Sequence, residues 1–207
     1  MLFINNNAPV ESVEYGQTII PKTRLDFLYE KCKETLINTP GNVLEVGVYK
    51  GGTLSVLAKA VQEVCPDRIV FGIDTFEGHP YSDGHPVHYV GKYNDVEIDV
   101  LTRYFLDLGL NNNIKLEQGK IEEIWPNLNI KDLSFVHIDC DLYKPIRYCC
   151  EHILRSVKPR GVIYFDDYFH EHCPGATRAI EECFAKEDIN LITIIEDQTC
   201  WSGYINL

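Results

Sequence analysis

Residues 43–53 read Val43-Leu44-Glu45-Val46-Gly47-Val48-Tyr49-Lys50-Gly51-Gly52-Thr53, and the fold turns on how this stretch is parsed. Val43, Leu44 and Val46 make a short apolar run that stops at Gly47, as a buried strand does. Beyond Gly51 and Gly52, the residues Leu54, Leu57, Ala58, Val61 and Val64 recur at helical spacing. Strand, glycine turn and helix in that order open a parallel α/β unit. Glycines in such a turn let the backbone approach a ligand closely, and the helix start behind them offers unpaired N–H groups. Taken alone, the same turn serves equally well to pack a helix on a sheet. The spacing is not G-x-G-x-x-G, and Glu45 ahead of the glycines disfavours a pyrophosphate; a carboxylate there suits an ammonium or sulfonium cation.

The alternation extends both ways. Upstream, residues 21–39 place Leu25, Leu28, Cys32 and Leu36 on one helical face before Asn38-Thr39-Pro40-Gly41 breaks it. Downstream, strands are expected over 68–73, 114–117, 133–138 and 162–165, and helices over 96–108, 146–157 and 176–184. Residues 191–195 and 201–205 read as an antiparallel hairpin at a sheet edge. The prediction is one α/β domain over 1–207, a mostly parallel central sheet with helices on both faces, opened by a helical segment at 1–40. Such sheets bind ligands beyond the carboxyl ends of their strands. Residues 74–95, with Gly78, Pro80, Gly84, Pro86 and Gly91 and little periodicity, are expected to be an active-site lid.

Composition narrows the function. Hydrophobic residues are 45% of the 207 and charged residues 24%, which suits a folded domain rather than a disordered chain. With 19 Lys and Arg against 31 Asp and Glu the net charge is −12, which repels nucleic acid and anionic membranes alike. No apolar run approaches the roughly 20 residues needed to cross a bilayer, and residues 1–10 lack a signal-peptide pattern, so a cytoplasmic protein is expected. Of the eight cysteines, Cys32, Cys65, Cys149, Cys150 and Cys183 fall in helix-like apolar patterns, which reads as free core thiols rather than a disulfide scaffold.

The strand ends carry the polar residues. Asp74 closes the second strand 22 residues beyond Gly52, about where an acidic residue commonly accepts hydrogen bonds from ribose hydroxyls. The fourth strand ends in Ile138-Asp139-Cys140-Asp141 and the fifth in Phe165-Asp166-Asp167-Tyr168. If these strands are neighbours, Asp139, Asp166 and Asp167 converge, and a hard divalent cation such as Mg²⁺ is what such an all-oxygen set suits. The plainer alternative is that two of the three cap helices or face solvent. His79, His85 and His88 form one histidine-rich group and His170, His172 and Cys173 another; neither has a recognised zinc spacing, so both are read as lining a pocket or facing water.

Five stretches together, Glu45–Gly52, Ile73-Asp-Thr-Phe-Glu-Gly78, Ile138-Asp-Cys-Asp-Leu-Tyr143, Phe165-Asp-Asp-Tyr168 and Pro174-Gly-Ala-Thr-Arg-Ala-Ile180, resemble the macrocin O-methyltransferase family, the TylF, MycF and NovP group. The match runs in order from about Pro40 to Ile180. The resemblance implies a Rossmann-like class I fold, S-adenosyl-L-methionine and Mg²⁺ as cofactors, and methylation of a hydroxyl on a sugar or glycosylated small molecule. It also implies that Glu45, Gly47 and the turn through Val48, Tyr49, Gly51, Gly52 and Thr53 border the methionine part of the cofactor, that Asp74 and Thr75 hold its ribose, and that Gly119 and Lys120 flank its adenine. By the same likeness Asp139, Asp166 and Asp167 match the metal ligands, and Asp139, beside the cofactor, matches the general base. Two departures stand out: the segment before the first strand is shorter than in antibiotic-tailoring members, and Arg160 stands where a glycine is common, leaving Gly161 to supply the special backbone angle.

Two other classes compete. A nicotinamide-dependent oxidoreductase shares the glycine turn and Asp74 but has no use for three carboxylates at adjacent strand ends. A catalytically inactive methyltransferase-fold binding protein keeps the fold alone. The sequence leaves homo-oligomerisation open.

Overall fold

Glycine and strand pattern resolve into a seven-stranded sheet in the computed structural model, which describes residues 14–184, 193–196 and 201–207. In chain order the elements are α1 (Lys22–Asn38), β1 (Asn42–Val46), α2 (Gly52–Val64), β2 (Val70–Asp74), α3 (Ile98–Asp107), β3 (Ile114–Gln118), α4 (Ile121–Ile124), β4 (Leu133–Ile138), α5 (Tyr143–Tyr148), β5 (Val157–Phe165), α6 (Pro174–Cys183), β6 (Thr193–Glu196) and β7 (Trp201–Asn206). The strand order is β3-β2-β1-β4-β5-β7-β6. β1 to β5 pair in parallel, and β7 runs antiparallel to both β5 and β6. The expected closing hairpin is therefore present; Leu191 and Ile192 of its first strand lie outside the described residues.

Alternate strand residues divide two cores. Leu44, Val46, Val136, Ile138, Ile163 and Phe165 face α5 and α6, where Ile146, Cys149, Ala176 and Ile180 meet them. Val43, Phe135, Val162 and Tyr164 face the other way, onto Leu28 and Leu36 of α1, Leu57 of α2 and Phe105 of α3. Because both faces are covered, the central strands read as apolar runs rather than strict alternations. Leu28, Leu36, Leu54 and Leu57 are each fully buried, and burying a leucine side chain stabilises by roughly 1.5–3 kcal/mol, which is what fixes α1 and α2 against the sheet.

Three local features differ from the sequence reading. The helix expected over 146–157 is regular only to Tyr148; it widens into a π turn at Cys149–Ile153 and tightens into a 3-10 turn at Leu154–Ser156, keeping Ile146, Cys149, Cys150 and Ile153 all buried. A short helix, α4, and the 3-10 turn Trp125–Asn127 were not anticipated. In the turn Lys158-Pro159-Arg160-Gly161 the left-handed residue is Arg160 (φ +68°), not Gly161. The turn bulges out of β5, since Leu133 pairs with Val157 but Phe135 already with Val162. Gly161 is needed for room instead: a Cβ there would stand 2.5 Å from Val157 Cγ1 and 2.9 Å from the Ser134 carbonyl oxygen.

Among the described residues no helix is long and apolar enough to cross a membrane. The seven described cysteines are free thiols.

Candidate active site

β1 is followed by Gly47, whose φ of +90° turns the chain over the end of β4. A Cβ at Gly47 would lie 1.6 Å from the carbonyl oxygen of Asp139, so only glycine lets the turn cross there. Asp139 answers with its amide, which donates to the Val46 carbonyl over 2.8 Å. The first motif and the aspartate of the fourth strand are thus held together by backbone alone. Gly51, in the left-handed region at φ +78°, begins α2, whose N-terminus no side chain caps. Gly52 and Thr53 at that end line a cavity of about 950 Å³, a volume within the range of small-molecule sites.

Asp74, at the end of β2, is turned onto this loop. Its Oδ2 accepts the amides of Val48 (2.7 Å) and Tyr49 (2.9 Å), and its Oδ1 accepts that of Phe76 (2.9 Å). The carboxylate therefore holds the first two strand-end turns in one arrangement, a role the sequence did not reveal. Thr75, Gly119 and Lys120 lie along the same wall. Gly119 donates its amide to the Asp74 carbonyl (2.8 Å), and the Lys120 ammonium pairs with Glu123 at 2.9 Å.

Two residues of the expected cofactor turn lie elsewhere. Glu45 is fully buried and does not reach the cavity; strand alternation aims it away, where its Oε1 meets His137 Nδ1 at 2.8 Å. Gly51 faces α3, a Cβ there standing 2.7 Å from Leu101 Cδ1 and from Phe105 Cζ. Gly47, Val48, Tyr49, Gly52 and Thr53 do line the cavity.

The segment 75–97 is a braced wall. His79 and Lys92 are joined by an amide-to-carbonyl bond of 2.8 Å, and Gly91 returns one to His79 at 2.9 Å. Gly78 allows this crossing, because a Cβ on it would meet the Lys92 carbonyl oxygen at 2.3 Å. At the far end Asp95 takes an ion pair from the buried Lys50 at 2.5 Å and a hydrogen bond from the Tyr49 hydroxyl at 3.3 Å, tying the segment to the glycine turn. Those contacts hold the Asp95 carboxyl below its ordinary range even though partial burial pushes the other way. Four non-glycine residues with positive φ cluster just past strand ends: Tyr49 after β1, Phe76 after β2, Asp141 after β4 and Phe169 after β5. Strained backbone of this kind concentrates where a structure positions functional groups.

β4 and β5 are neighbours, Ile138 opposite Phe165, so the carboxylates that follow them meet. One oxygen each from Asp139, Asp166 and Asp167 lies within 4.8 Å of the others, on the cavity wall. Burial, then the charges of Asp166 and Asp167, raise the Asp139 carboxyl well above its ordinary value; burial and the neighbouring Asp141 and Asp166 push Asp167 up to about 8. Asp167 Oδ2 is aimed by the Asp141 amide at 2.8 Å. Asp166 Oδ2 is held by Arg24 at 2.7 Å, while its buried Oδ1 has no hydrogen-bond partner among the described residues, His137 Nε2 standing 3.6 Å away. Three carboxylates with a spare buried oxygen are a donor set for a hard divalent cation.

Beneath this cluster runs a buried polar row that the sequence reading missed. Arg24 of α1 reaches Asp166, and Glu45, His137 and Tyr164 sit side by side on β1, β4 and β5, with the Tyr164 hydroxyl 2.5 Å from Ser202 Oγ of β7. Burial alone would lower the His137 imidazolium, yet Asp166, Glu45 and Asp139 outweigh it and raise it to about 10. The signal for Arg24 was its place at i, i+4 and i+8 with Leu28 and Cys32, on the core face of α1.

With this geometry in view, the kinship is direct. The family model described as Macrocin-O-methyltransferase (TylF) matches residues 7–201. The demethyldecarbamoylnovobiocin O-methyltransferase of Streptomyces niveus is 29% identical over 201 residues, covering 90% of this chain and 75% of that protein. The mycinamicin III 3''-O-methyltransferase of Micromonospora griseorubida is 28% identical over 176 residues, covering 78% and 68%. Among solved structures, the O-methyltransferase NovP superposes with a TM-score of 0.77 at 25% identity over 91% of this chain and 81% of that one. The calicheamicin methyltransferase CalS11 shares the fold, with a TM-score of 0.71 at 18% identity over 90% and 80%. The chain belongs to the macrocin O-methyltransferase family and is an S-adenosylmethionine-dependent O-methyltransferase.

Proposed function

We propose that the protein methylates a hydroxyl of a sugar or glycosylated small molecule, with Mg²⁺ held by Asp139, Asp166 and Asp167 and the methyl donor held in the cavity beside Gly47. The convergence of those three carboxylates on the cavity wall, next to the glycine turn, carries this reading. When bound, the metal supplies a lowered pKa to a coordinated hydroxyl, and S-adenosylmethionine supplies an activated methyl group. The chain's own residues do the rest. The turn from Gly47 to Thr53 and the wall from Asp74 to Asp95 fix one partner against the other and exclude water; such positioning accounts for up to about 7–11 kcal/mol of a barrier in favourable cases. Asp139, raised by burial and its neighbours, accepts the hydroxyl proton. Asp74 holds the loop against which the ribose rests, with Thr75 beside it, and Gly119 and Lys120 border the adenine.

The two relatives are named as O-methyltransferases of demethyldecarbamoylnovobiocin and of the 3'' position of mycinamicin III, and a double-primed position denotes an appended ring, which supports a glycoside acceptor. The test pairs titration calorimetry with S-adenosylmethionine and NADH against mass spectrometry of reactions with a panel of glycosides and free sugars, with and without chelator. Binding of S-adenosylmethionine and a product heavier by one methyl group, lost in chelator, is the expected result. Binding of NADH without S-adenosylmethionine overturns methyl transfer, and full activity in chelator overturns the metal.

A further inference from the structure

The two histidine-rich groups of the sequence are not two sets in space. The fold takes His88 from the first and Cys173 from the second and brings them together with Asp141, three residues whose side chains the proposed methyl transfer uses neither as metal ligand nor as base. Cys173 Sγ lies 3.8 Å from His88 Nε2 and 3.3 Å from Asp141 Oδ1, and one donor atom from each residue falls within 4.8 Å of the others. Bond lengths of about 2.3 Å to sulfur and about 2.0–2.1 Å to nitrogen or oxygen, at a tetrahedral angle, place such donors roughly 3.6 Å apart. The observed separations bracket that value.

The surroundings point the same way. His88 is fully buried and Cys173 is 2% exposed. His88 Nδ1 sits 2.9 Å from the Asp83 carboxylate, and donation there leaves the lone pair on Nε2, the tautomer that binds a metal. The thiol has one proton, given to Asp141, so His88 Nε2 faces the sulfur with no donor of its own. Asp141 is aimed in turn by His79, whose Nε2 lies 2.9 Å from the other carboxylate oxygen. Each of these two residues therefore has the outer partner that metal ligands characteristically have.

We infer that His88 Nε2, Asp141 Oδ1 and Cys173 Sγ form a Zn²⁺ site distinct from the three-aspartate cluster, with its fourth position toward the cavity that all three residues line. Thiolate and imidazole select zinc, whereas three carboxylates select magnesium. Binding replaces the thiol proton, which is released to solvent; one thiolate, one carboxylate and a neutral imidazole then balance the two charges of the ion. The ion would staple the wall segment, through His88, to the residue just ahead of α6 and to the end of β4. This inference does not depend on the methyl-transfer reading.

Metal-stripped full-length protein, titrated with Co²⁺ in excess Mg²⁺, tests it. The expected result is a thiolate-to-cobalt charge-transfer band in the near ultraviolet at one equivalent, bleached by Zn²⁺, absent in Cys173→Ser and retained in Cys65→Ser. In competition with a chromophoric chelator, His88→Gln should weaken Zn²⁺ binding at least about tenfold. No band in the folded protein, a band that survives Cys173→Ser, or unchanged Zn²⁺ affinity in His88→Gln overturns the site. Should Cys173→Ser fail to fold, by circular dichroism, the His88→Gln competition decides alone. S-adenosylmethionine binding measured on the same samples reports separately on the methyltransferase reading.

Discussion

Arg160 holds φ at +68° in a chain of L-residues, and among the described residues no hydrogen bond or ion pair of its side chain offsets that strain. Left-handed backbone costs a non-glycine residue roughly 1–2 kcal/mol, while a glycine loses more freedom on folding, by roughly 0.5–1 kcal/mol. The difference favours glycine, and the Arg160 carbonyl that accepts the Thr39 hydroxyl at 3.0 Å survives the exchange. Arg160→Gly should therefore raise stability by about 0.5–1 kcal/mol in urea denaturation; a loss would show that the arginine side chain holds the turn. The three aspartates make a contrast of a different kind. Asp139→Asn keeps the shape but cannot take a proton, so kcat should fall by about 10²–10⁴ and stay low at any Mg²⁺ concentration. Asp167→Asn removes a charge without removing the base, and added Mg²⁺ should restore part of its rate. A near-normal rate for Asp139→Asn would remove it from the role of base.

The cavity wall between β2 and α3 is held by close backbone crossings, so its order depends on glycines rather than on helix or strand. Gly78→Ala would push a Cβ to 2.3 Å from the Lys92 carbonyl oxygen at φ +77°, which breaks the paired bonds between His79 and residues 91–92. We expect faster amide exchange confined to 75–97 and weaker cofactor binding, with little change in the exchange of β1, β4 and β5; exchange unchanged in the segment would mean that the Lys50–Asp95 pair alone braces it. This is also where the sequence was least legible. Apolar periodicity located the principal strands and helices because both faces of the sheet are buried, but it read Val157 into a helix and began the fifth strand at 162, where β5 starts at Val157. The aspartates at 139 and at 166–167 could be brought together from the sequence only on the condition that their strands are neighbours; β4 and β5 are, and adjacent parallel strands end at the same level. The family resemblance places Glu45 and Gly51 at the ligand, yet a strand residue one position before Val46 must face the opposite side, and Gly51 is turned onto Leu101 and Phe105 of α3. Arg24, His88 and Cys173 act across more than 80 residues of chain, and no local pattern links such partners.

At the scale of the molecule, stability and metal binding are joined through buried charge. Asp167 is raised from its ordinary carboxyl range to about 8, so the folded protein holds a proton there that the unfolded chain gives up near pH 4. That contribution is fully present below about pH 4 and is lost as pH rises through 8. His137 is raised to about 10 from 6.5; its contribution is complete below 6.5 and is lost as pH climbs through 10. Metal-free protein should thus lose melting temperature in two overlapping limbs, one from about pH 4 to 8 for Asp167 and one from about pH 6.5 to 10 for His137. Mg²⁺ competes with protons on the aspartates, Asp139 and Asp167, and not with the one on His137. Its stabilisation, about 2.7 kcal/mol at a hundredfold excess over Kd, should be small at pH 5.5 and large at pH 8.5, where Asp167 has lost its proton. Between about pH 8 and 10 only the His137 limb is left, and in saturating Mg²⁺ it should persist through Glu45 but end at lower pH, because the ion offsets the charges of Asp166 and Asp139 that help raise it. Thermal scans across that range, with Mg²⁺ and with chelator, separate the two. A magnesium effect as large at pH 5.5 as at pH 8.5 would mean that the ion binds away from the aspartates, and disappearance of the upper limb in Mg²⁺ would take His137 out of the account.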